Sequence, residues 1–138
     1  MKAFTAISLA LLFFTIGCKK SDSSNVTLNY TLEKGQCMNS VLGTNYSICF
    51  DSLISDGRCP NGLICVWAGY AAAQFSFHQN GTITPFALAV SGGTPNPVPY
   101  NRDTIINQVK IKLEDVLPYP DRINNPPPSP LRVIIDVQ

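Results

Sequence analysis

The stretch AAAQFSFHQNGTITPFALAV, residues 71–90, decides the fold class of this chain. Every second residue from Ala71 to Phe77 is apolar, and the residues between them are small or polar. Because successive side chains of a β-strand point to opposite faces, this period of two predicts a strand with one buried face. The Asn80-Gly81 pair that follows is a strong signal for a two-residue hairpin turn, and the alternation resumes at Phe86–Val90. The stretch therefore predicts two antiparallel strands.

The same alternation recurs along most of the chain after residue 25. Turn-forming residues separate the alternating segments, and no helical periodicity longer than one turn follows the first eighteen residues. Two proline-rich connections, 91–103 and 118–130, are too long for hairpin turns, so we expect them to cross between sheets or between ends of a sandwich. The alternating segments are 26–32, 46–51, 71–78, 86–90, 109–114 and 131–137.

Six or seven short strands predict a single all-β domain, an antiparallel β-sandwich with a small β-barrel as the second choice. Charged residues make up 14% of the 138 residues, against about a quarter in ordinary soluble proteins. The formal net charge is +1, which provides no basic face for nucleic acid. We therefore expect no nucleic-acid partner.

The first residues of the chain have the features of a secretory signal. Lys2 precedes an apolar stretch from residue 3 to residue 16, which is too short for a permanent membrane span. The segment Thr15-Ile16-Gly17-Cys18 resembles the lipobox of bacterial lipoproteins. The resemblance implies that residues 1–17 are a cleaved lipoprotein signal peptide, helical before cleavage, and that Cys18 is acylated and becomes the new N-terminus.

We accordingly divide the mature chain into a lipidated cysteine with a polar tether, residues 18–25, and a domain, residues 26–138. Removal of Lys2 leaves nine basic and nine acidic side chains, so membrane binding has to come from the acyl chains on Cys18. Lys19 stands where an acidic residue is associated with inner-membrane retention in some bacteria. We predict a lipid-anchored protein of the cell envelope, in the outer membrane, with its periplasmic or surface face left open.

The other four cysteines are predicted to form disulfides, because exported proteins meet an oxidising environment. Four cysteines allow three pairings, of which we favour Cys37–Cys49 and Cys59–Cys65. The first pair flanks the turn signal Gly43-Thr44-Asn45, and the second closes the short loop 60–64, which contains proline and glycine. Their spacings are wider than those of structural zinc sites, so we expect no metal and no cofactor.

The segment DGRCPNGLICVWAGYA, residues 56–71, is the most distinctive stretch of the chain. It resembles a group of small exported bacterial lipoproteins that carry a D-S-R-C-P…C-x-W-A-G-x-A signature, with Gly57 where serine is usual. The later Leu117-Pro118-Tyr119-Pro120 and the alternating last strand are also similar. Because that group has no assigned activity, the resemblance implies a fold and a location only.

Physical reasoning assigns the same segment mainly structural roles. We expect Trp67 to pack its ring beside the Cys59–Cys65 bridge, and Gly69 to permit a close backbone approach or a bulge. Arg58 and Asp56 are predicted to pair and hold the loop. The alternative is a contact surface stiffened by the bridge, with Arg58, Leu63 and Ile64 as candidate binding residues.

The chain offers little for catalysis. His78 is the sole histidine, so a nucleophilic hydrolase would have to use it as its base, and its place beside a turn is typical of a solvated strand end. The two glutamates and the scattered aspartates form no recognisable motif. We therefore predict that the protein is not an enzyme. Two triplets, at Ser52 and Thr104, resemble sites that some Gram-negative lineages O-glycosylate.

The sequence leaves three functional hypotheses. The first is a non-catalytic envelope module that binds, or supports, a protein or glycan partner. The second is an inhibitor of a secreted hydrolase that presents the Cys59–Cys65 loop, and the third is a hydrolase dependent on His78. Further candidate contact residues, on the long loops, are Tyr100, Arg102, Tyr119 and Arg122.

Overall fold

The computed structural model describes residues 27–40, 44–93, 98–122 and 129–138. Their fold is all-β: two four-stranded antiparallel sheets pack face to face and do not close into a barrel. The predicted β-sandwich is confirmed, and the second choice, a barrel, is wrong. The predicted signal peptide, Cys18 and the tether of residues 18–25 lie outside the described residues.

Eight strands make up the two sheets. Six of them correspond to the alternating segments of the sequence. The short β2 was implied only by the expected approach of Cys37 and Cys49 across a hairpin turn, and β6 was not predicted. The strands are β1 Leu28–Glu33, β2 Cys37–Asn39, β3 Tyr46–Asp56, β4 Tyr70–Gln79, β5 Thr82–Ser91, β6 Asp103–Ile106, β7 Val109–Leu117 and β8 Arg132–Val137.

The order of strands is β2-β3-β4-β5 in one sheet and β1-β8-β7-β6 in the other. The proline-rich connection 91–103 leads from β5 to β6 and crosses between the sheets, as predicted. The prediction for 118–130 is wrong, because this connection joins β7 to β8, which are antiparallel neighbours in the same sheet. Both of its ends therefore lie at one end of the sandwich.

The core lies between the inward faces of the two sheets. Phe50, Phe75 and Phe77 are fully buried and come from β3 and β4, where alternation predicted an inward face. The opposite sheet contributes branched aliphatic side chains from β7 and β8. Those that are fully buried are Ile111, Leu113, Val116, Val133 and Ile135.

Two tight turns mark one end of the sandwich, here called the turn end. The predicted turn between β4 and β5 is confirmed, with positive φ at Asn80 (51°) and Gly81 (77°). Asn107 Nδ2, in the turn between β6 and β7, donates a 2.6 Å hydrogen bond to Gln79 Oε1 and so joins the two sheets there. The first residue of β1, Leu28, pairs with Val137 near this end. The chain therefore enters the sandwich at the turn end.

Both predicted disulfides, Cys37–Cys49 and Cys59–Cys65, are formed. Cys37 and Cys49 are directly paired residues of β2 and β3, so the bridge joins a three-residue strand to the sheet. Cys59 and Cys65 are six residues apart and close a loop between β3 and β4. That loop lies at the opposite end of the sandwich, here called the loop end.

Candidate functional site

The loop of residues 57–69 joins β3 to β4, and its base continues their hairpin. The Gly57 N–H donates a 2.9 Å hydrogen bond to the Tyr70 carbonyl, and the Cys59 N–H donates a 2.8 Å bond to the Ala68 carbonyl. Because both legs are paired up to the bridge, the loop leaves the sheet as an ordered extension of it. The disulfide then closes the part that has no strand partner.

Glycines allow other backbone segments to press against this base. Gly69 has a φ of +69°, and a Cβ placed there would overlap the Gly57 carbonyl oxygen. The Gly92 N–H donates a 2.9 Å hydrogen bond to the Gly69 carbonyl, and a Cβ at Gly92 would lie 2.5 Å from the Ala68 oxygen. The predicted close approach at Gly69 is thus confirmed, since only glycine fits there without moving backbone.

A buried arginine holds the loop to the body of the domain. Arg58 Nε and Nη2 donate to the two carboxylate oxygens of Asp56 at 2.9 and 2.7 Å, so the pairing is bidentate. Its Nη1 donates to Asp115 on β7 at 3.1 Å, and its Cζ lies 4.4 Å from the centre of the Tyr119 ring. We call these four residues the Arg58 clamp. The predicted Arg58–Asp56 pair is confirmed as part of it.

The clamp changes the role expected for Arg58 and Tyr119. Arg58 is only 3% exposed and its guanidinium already has two carboxylates and a ring as partners, so it does not offer its charge to another molecule. Tyr119 lies in the segment beneath the loop, where the Asn61 N–H also donates to the Pro120 carbonyl at 2.9 Å. Both residues position the loop.

Beyond the clamp, the loop exposes four apolar side chains. Ile64 and Val66 are fully exposed, Trp67 is 71% exposed and Leu63 is 45% exposed. We call these four residues the apolar tip. Leu63 and Ile64 were predicted as contact residues and lie here, whereas Val66 and Trp67 were missed. The sequence did carry a signal for them, because a disulfide loop this short has no interior in which to bury apolar groups.

The prediction that Trp67 packs as the inter-sheet tryptophan of immunoglobulin-type sandwiches does is wrong, because its ring is 71% exposed. Its ring lies on the exposed tip because the pairing of Cys59 with Ala68 places residues 60–67 beyond the last hydrogen bond of the hairpin. The inward positions at this end are taken by Arg58 and its partners. The resemblance to the inter-sheet tryptophan of immunoglobulin-type sandwiches therefore does not extend to this ring.

Removal of the Cys59–Cys65 bridge is expected to loosen the apolar tip selectively. The double variant Cys59→Ser/Cys65→Ser should lose about 2 kcal/mol of unfolding free energy, because a short closed loop restricts the unfolded chain modestly. Limited proteolysis should cut it between residues 60 and 67 under native conditions. The matched variant Cys37→Ser/Cys49→Ser should lose a similar amount of stability and resist cleavage in the loop; equal cleavage in both would contradict the prediction.

Of the remaining predicted contact residues, Arg102 and Arg122 are exposed and Tyr100 is half-buried. Arg102 is held on β7, where it donates to the Leu113 carbonyl at 3.2 Å and to Glu114 Oε2 at 2.9 Å. A hydrogen bond from Lys112, with smaller contributions from the charges of Lys112 and Arg102, holds the pKa of Glu114 below its usual range. Arg102 is thus already paired with Glu114. Of these three residues, Arg122 is the one that lies near Tyr119 in the sequence, in the segment beside the loop.

The sole histidine lies at the turn end, in an arrangement that differs from a nucleophilic triad. Ser76 Oγ donates a 3.0 Å hydrogen bond to Asp51 Oδ1, and His78 Nε2 lies 3.0 Å from Ser76 Oγ. In a Ser-His-Asp triad the imidazole stands between the hydroxyl and the carboxylate. Here the hydroxyl lies between the imidazole and the carboxylate and is hydrogen-bonded to both.

Within the described ranges, no three residues of the types His, Cys, Asp and Glu gather as a metal site would require. No helix in that part of the chain is both long and apolar enough to span a membrane. Comparisons with known protein families, curated proteins and solved structures found no match.

Proposed function

We propose that this protein is a non-catalytic, membrane-anchored lipoprotein of the cell envelope that binds a protein partner through its apolar tip. The observation that carries the proposal is the exposure of Leu63, Ile64, Val66 and Trp67 on one disulfide-closed loop. Isolated apolar side chains are common on protein surfaces, but a contiguous exposed group is typical of an interaction site. The outer membrane is the location we propose for the anchor.

The rigidity of the loop favours tight binding. A flexible loop loses conformational entropy when it is ordered by a partner, and this loss reduces its affinity. Here the bridge, the hairpin base and the Arg58 clamp hold the backbone before any partner arrives. Tryptophan is also among the residues that contribute most to the binding energy of protein interfaces. Trp67 is accordingly the residue we expect to contribute most.

The direction in which the tip points also favours a partner away from the anchoring membrane. The chain enters the domain at the turn end, whereas the tip is at the loop end. β3 has eleven residues and extends about 35 Å between these ends, at roughly 3.3 Å per residue. The ten steps of chain from Cys18 to Leu28 also reach at most about 35 Å when fully extended. The tip could therefore contact the anchoring bilayer only if the stretch between Cys18 and Leu28 were almost fully extended.

The chemistry of the tip favours a protein over a glycan or a nucleic acid. Leu63, Ile64 and Val66 carry no hydrogen-bonding side-chain groups and no charge, so they cannot satisfy sugar hydroxyls or phosphates. They match an apolar groove on another protein, where their exposed surface would leave water. The expected partner is an envelope protein with such a groove.

Site-specific photo-crosslinking in producing cells tests this proposal. A photoreactive phenylalanine analogue is placed at Ile64, and in a matched variant at Ile83, which is 60% exposed on the edge strand β5. We expect the Ile64 position to give a discrete protein adduct that the Ile83 position does not give. The adduct should disappear when Trp67→Ser is added to the Ile64 variant.

Two outcomes would contradict the proposal. One is identical protein adducts from positions 64 and 83, which would indicate collisions rather than recognition. The other is an adduct with lipid alone at position 64, which would make the tip a second membrane contact. Thermal unfolding of Trp67→Ser should match that of the unchanged chain, since an exposed ring contributes little to stability.

An inhibitor of a secreted hydrolase remains the second candidate, and the rigidity of the loop favours it. The loop continues the end of the sheet and is closed by a disulfide, so its backbone is ordered before it meets an enzyme. Leu63→Ala and Ile64→Ala distinguish this function from a structural role. An inhibitor should lose its effect on the target enzyme with an unchanged unfolding midpoint, whereas a structural loop should lose stability.

A further inference from the structure

A polar cleft of about 350 Å³ lies at the turn end, on the opposite side of the domain from the apolar tip. It is formed where the end of β2, the start of β3 and the Asn80-Gly81 turn meet. Ten described residues line it, and none of these is lysine, arginine, aspartate or glutamate. The site described above does not use this cleft, and we propose that it binds a neutral saccharide.

The groups that line the cleft suit sugar hydroxyls. Amides are supplied by Asn45, Asn80 and others, and hydroxyls by Ser47 and others. Amides and hydroxyls both donate and accept hydrogen bonds, as each sugar hydroxyl also does. A phosphate or carboxylate ligand would instead call for an arginine or lysine. The donor and acceptor set is therefore that of an uncharged polyol.

The walls of the cleft are held in place before any ligand binds. Tyr46 anchors one wall, because its ring lies on the inward face of β3 and stacks on that of buried Phe77, with 5.2 Å between centres and 19° between planes. The Cys37–Cys49 bridge joins β2 to β3. Asn39 and Ser47 each lie two residues from the bridge on these strands, so the bridge fixes both walls of the cleft.

The hydrogen-bond chain through Ser76 gives His78 a defined role in the cleft. Because the Ser76 hydroxyl donates its proton to Asp51, it accepts from Nε2–H of the His78 ring. The other ring nitrogen, Nδ1, has no partner among the described residues and can form a hydrogen bond with a ligand hydroxyl. The hydrogen bonds through Ser76 to Asp51 hold the His78 ring in position.

Saturation-transfer NMR tests the proposal on the full-length chain, purified in a detergent without a sugar headgroup. The probes are four neutral trisaccharides (cellotriose, xylotriose, mannotriose and N-acetylated chitotriose), with trigalacturonate as the charged comparison. We expect transfer to at least one neutral trisaccharide and none to trigalacturonate. Absence of transfer to all four at millimolar concentration, or transfer to trigalacturonate in preference, would overturn the proposal.

Three variants test whether the saccharide binds in the cleft. Ser47→Ala removes a hydroxyl from the face of the sheet that also carries His78, and should weaken the bound saccharide about tenfold. Asn45→Ala changes an exposed residue, cannot disturb the core, and should weaken binding by a smaller factor. Trp67→Ser, at the loop end, should leave saccharide binding unchanged. Unchanged binding in both cleft variants, or loss in Trp67→Ser, would overturn the assignment. Because Trp67→Ser removes only the partner adduct, the two sites can fail independently.

Discussion

Replacement of Arg58 by alanine is expected to lower the free energy of unfolding by about 3 kcal/mol. The guanidinium is almost completely buried, and its removal leaves Asp56 and Asp115 without the cation that both contact. Breaking a buried ion pair from one side costs more than the pair itself stabilises, because the remaining charges are poorly hydrated. The side chain of Asp115 is 42% exposed and can recover water, which places the expected loss at the lower end of the usual range.

Urea unfolding followed by far-ultraviolet circular dichroism measures this loss. Arg102→Ala is the matched control, since Arg102 also pairs with a carboxylate but its side chain is 51% exposed. It should change stability by less than about 1 kcal/mol. Arg58→Lys should fall between the two, because an ammonium keeps the charge but loses the bidentate contact with Asp56. Equal losses for Arg58→Ala and Arg102→Ala would contradict the burial of the clamp.

The clamp also connects stability with the proposed function. Arg58 joins the base of the loop to β7 and to Tyr119, so its loss should free the apolar tip to move. The crosslink expected at Ile64 should then weaken in Arg58→Ala even at temperatures where the domain is folded. Arg102→Ala should leave it unchanged, because Arg102 contacts β7 and not the loop.

The parts of the fold that alternation predicts are the longer strands. β4 and β5 pair without interruption over ten residues, so period two is unbroken and the Asn80-Gly81 turn marks the hairpin. β2 and β6 have three and four residues, which is too short for a period to be recognised. Their pairing depends on neighbours, on a disulfide for β2 and on a turn for β6. The end of β3 was also missed, since two register shifts interrupt its alternation after Phe50.

The candidate site likewise contains some contacts between residues close in sequence, which could be predicted, and others that form only in the folded domain. The contact of Arg58 with Asp56 spans two residues and was predictable, whereas its contact with Asp115 spans 57. Only the folded domain brings β7 and Tyr119 beneath the loop. The exposure of Trp67 was missed because tryptophan is usually buried, and the constraint that overrides this preference is the register of the hairpin base. The polar cleft combines residues from three separate segments and has no sequence motif.

Gly69→Ala is expected to destabilise the domain by about 3 kcal/mol, from two additive causes. A side chain at a φ of +69° is strained by about 1 kcal/mol, and the added methyl group would overlap the Gly57 carbonyl oxygen. That oxygen belongs to the backbone of the opposite leg, so relief requires the base of the loop to open. Gly62→Ala isolates the first cause, because Gly62 has a φ of +81° with no atom within 4 Å of the added carbon.

Urea unfolding of the two glycine variants should therefore give a loss of about 1 kcal/mol for Gly62→Ala and about three times that for Gly69→Ala. The variants should also differ in the loop itself. Opening of the base in Gly69→Ala breaks the hydrogen bonds of Gly57 and Cys59, so hydrogen exchange at these two amides should accelerate relative to Gly62→Ala. Similar stability losses and similar exchange in both would mean that the two legs of the loop are not in contact at Gly69.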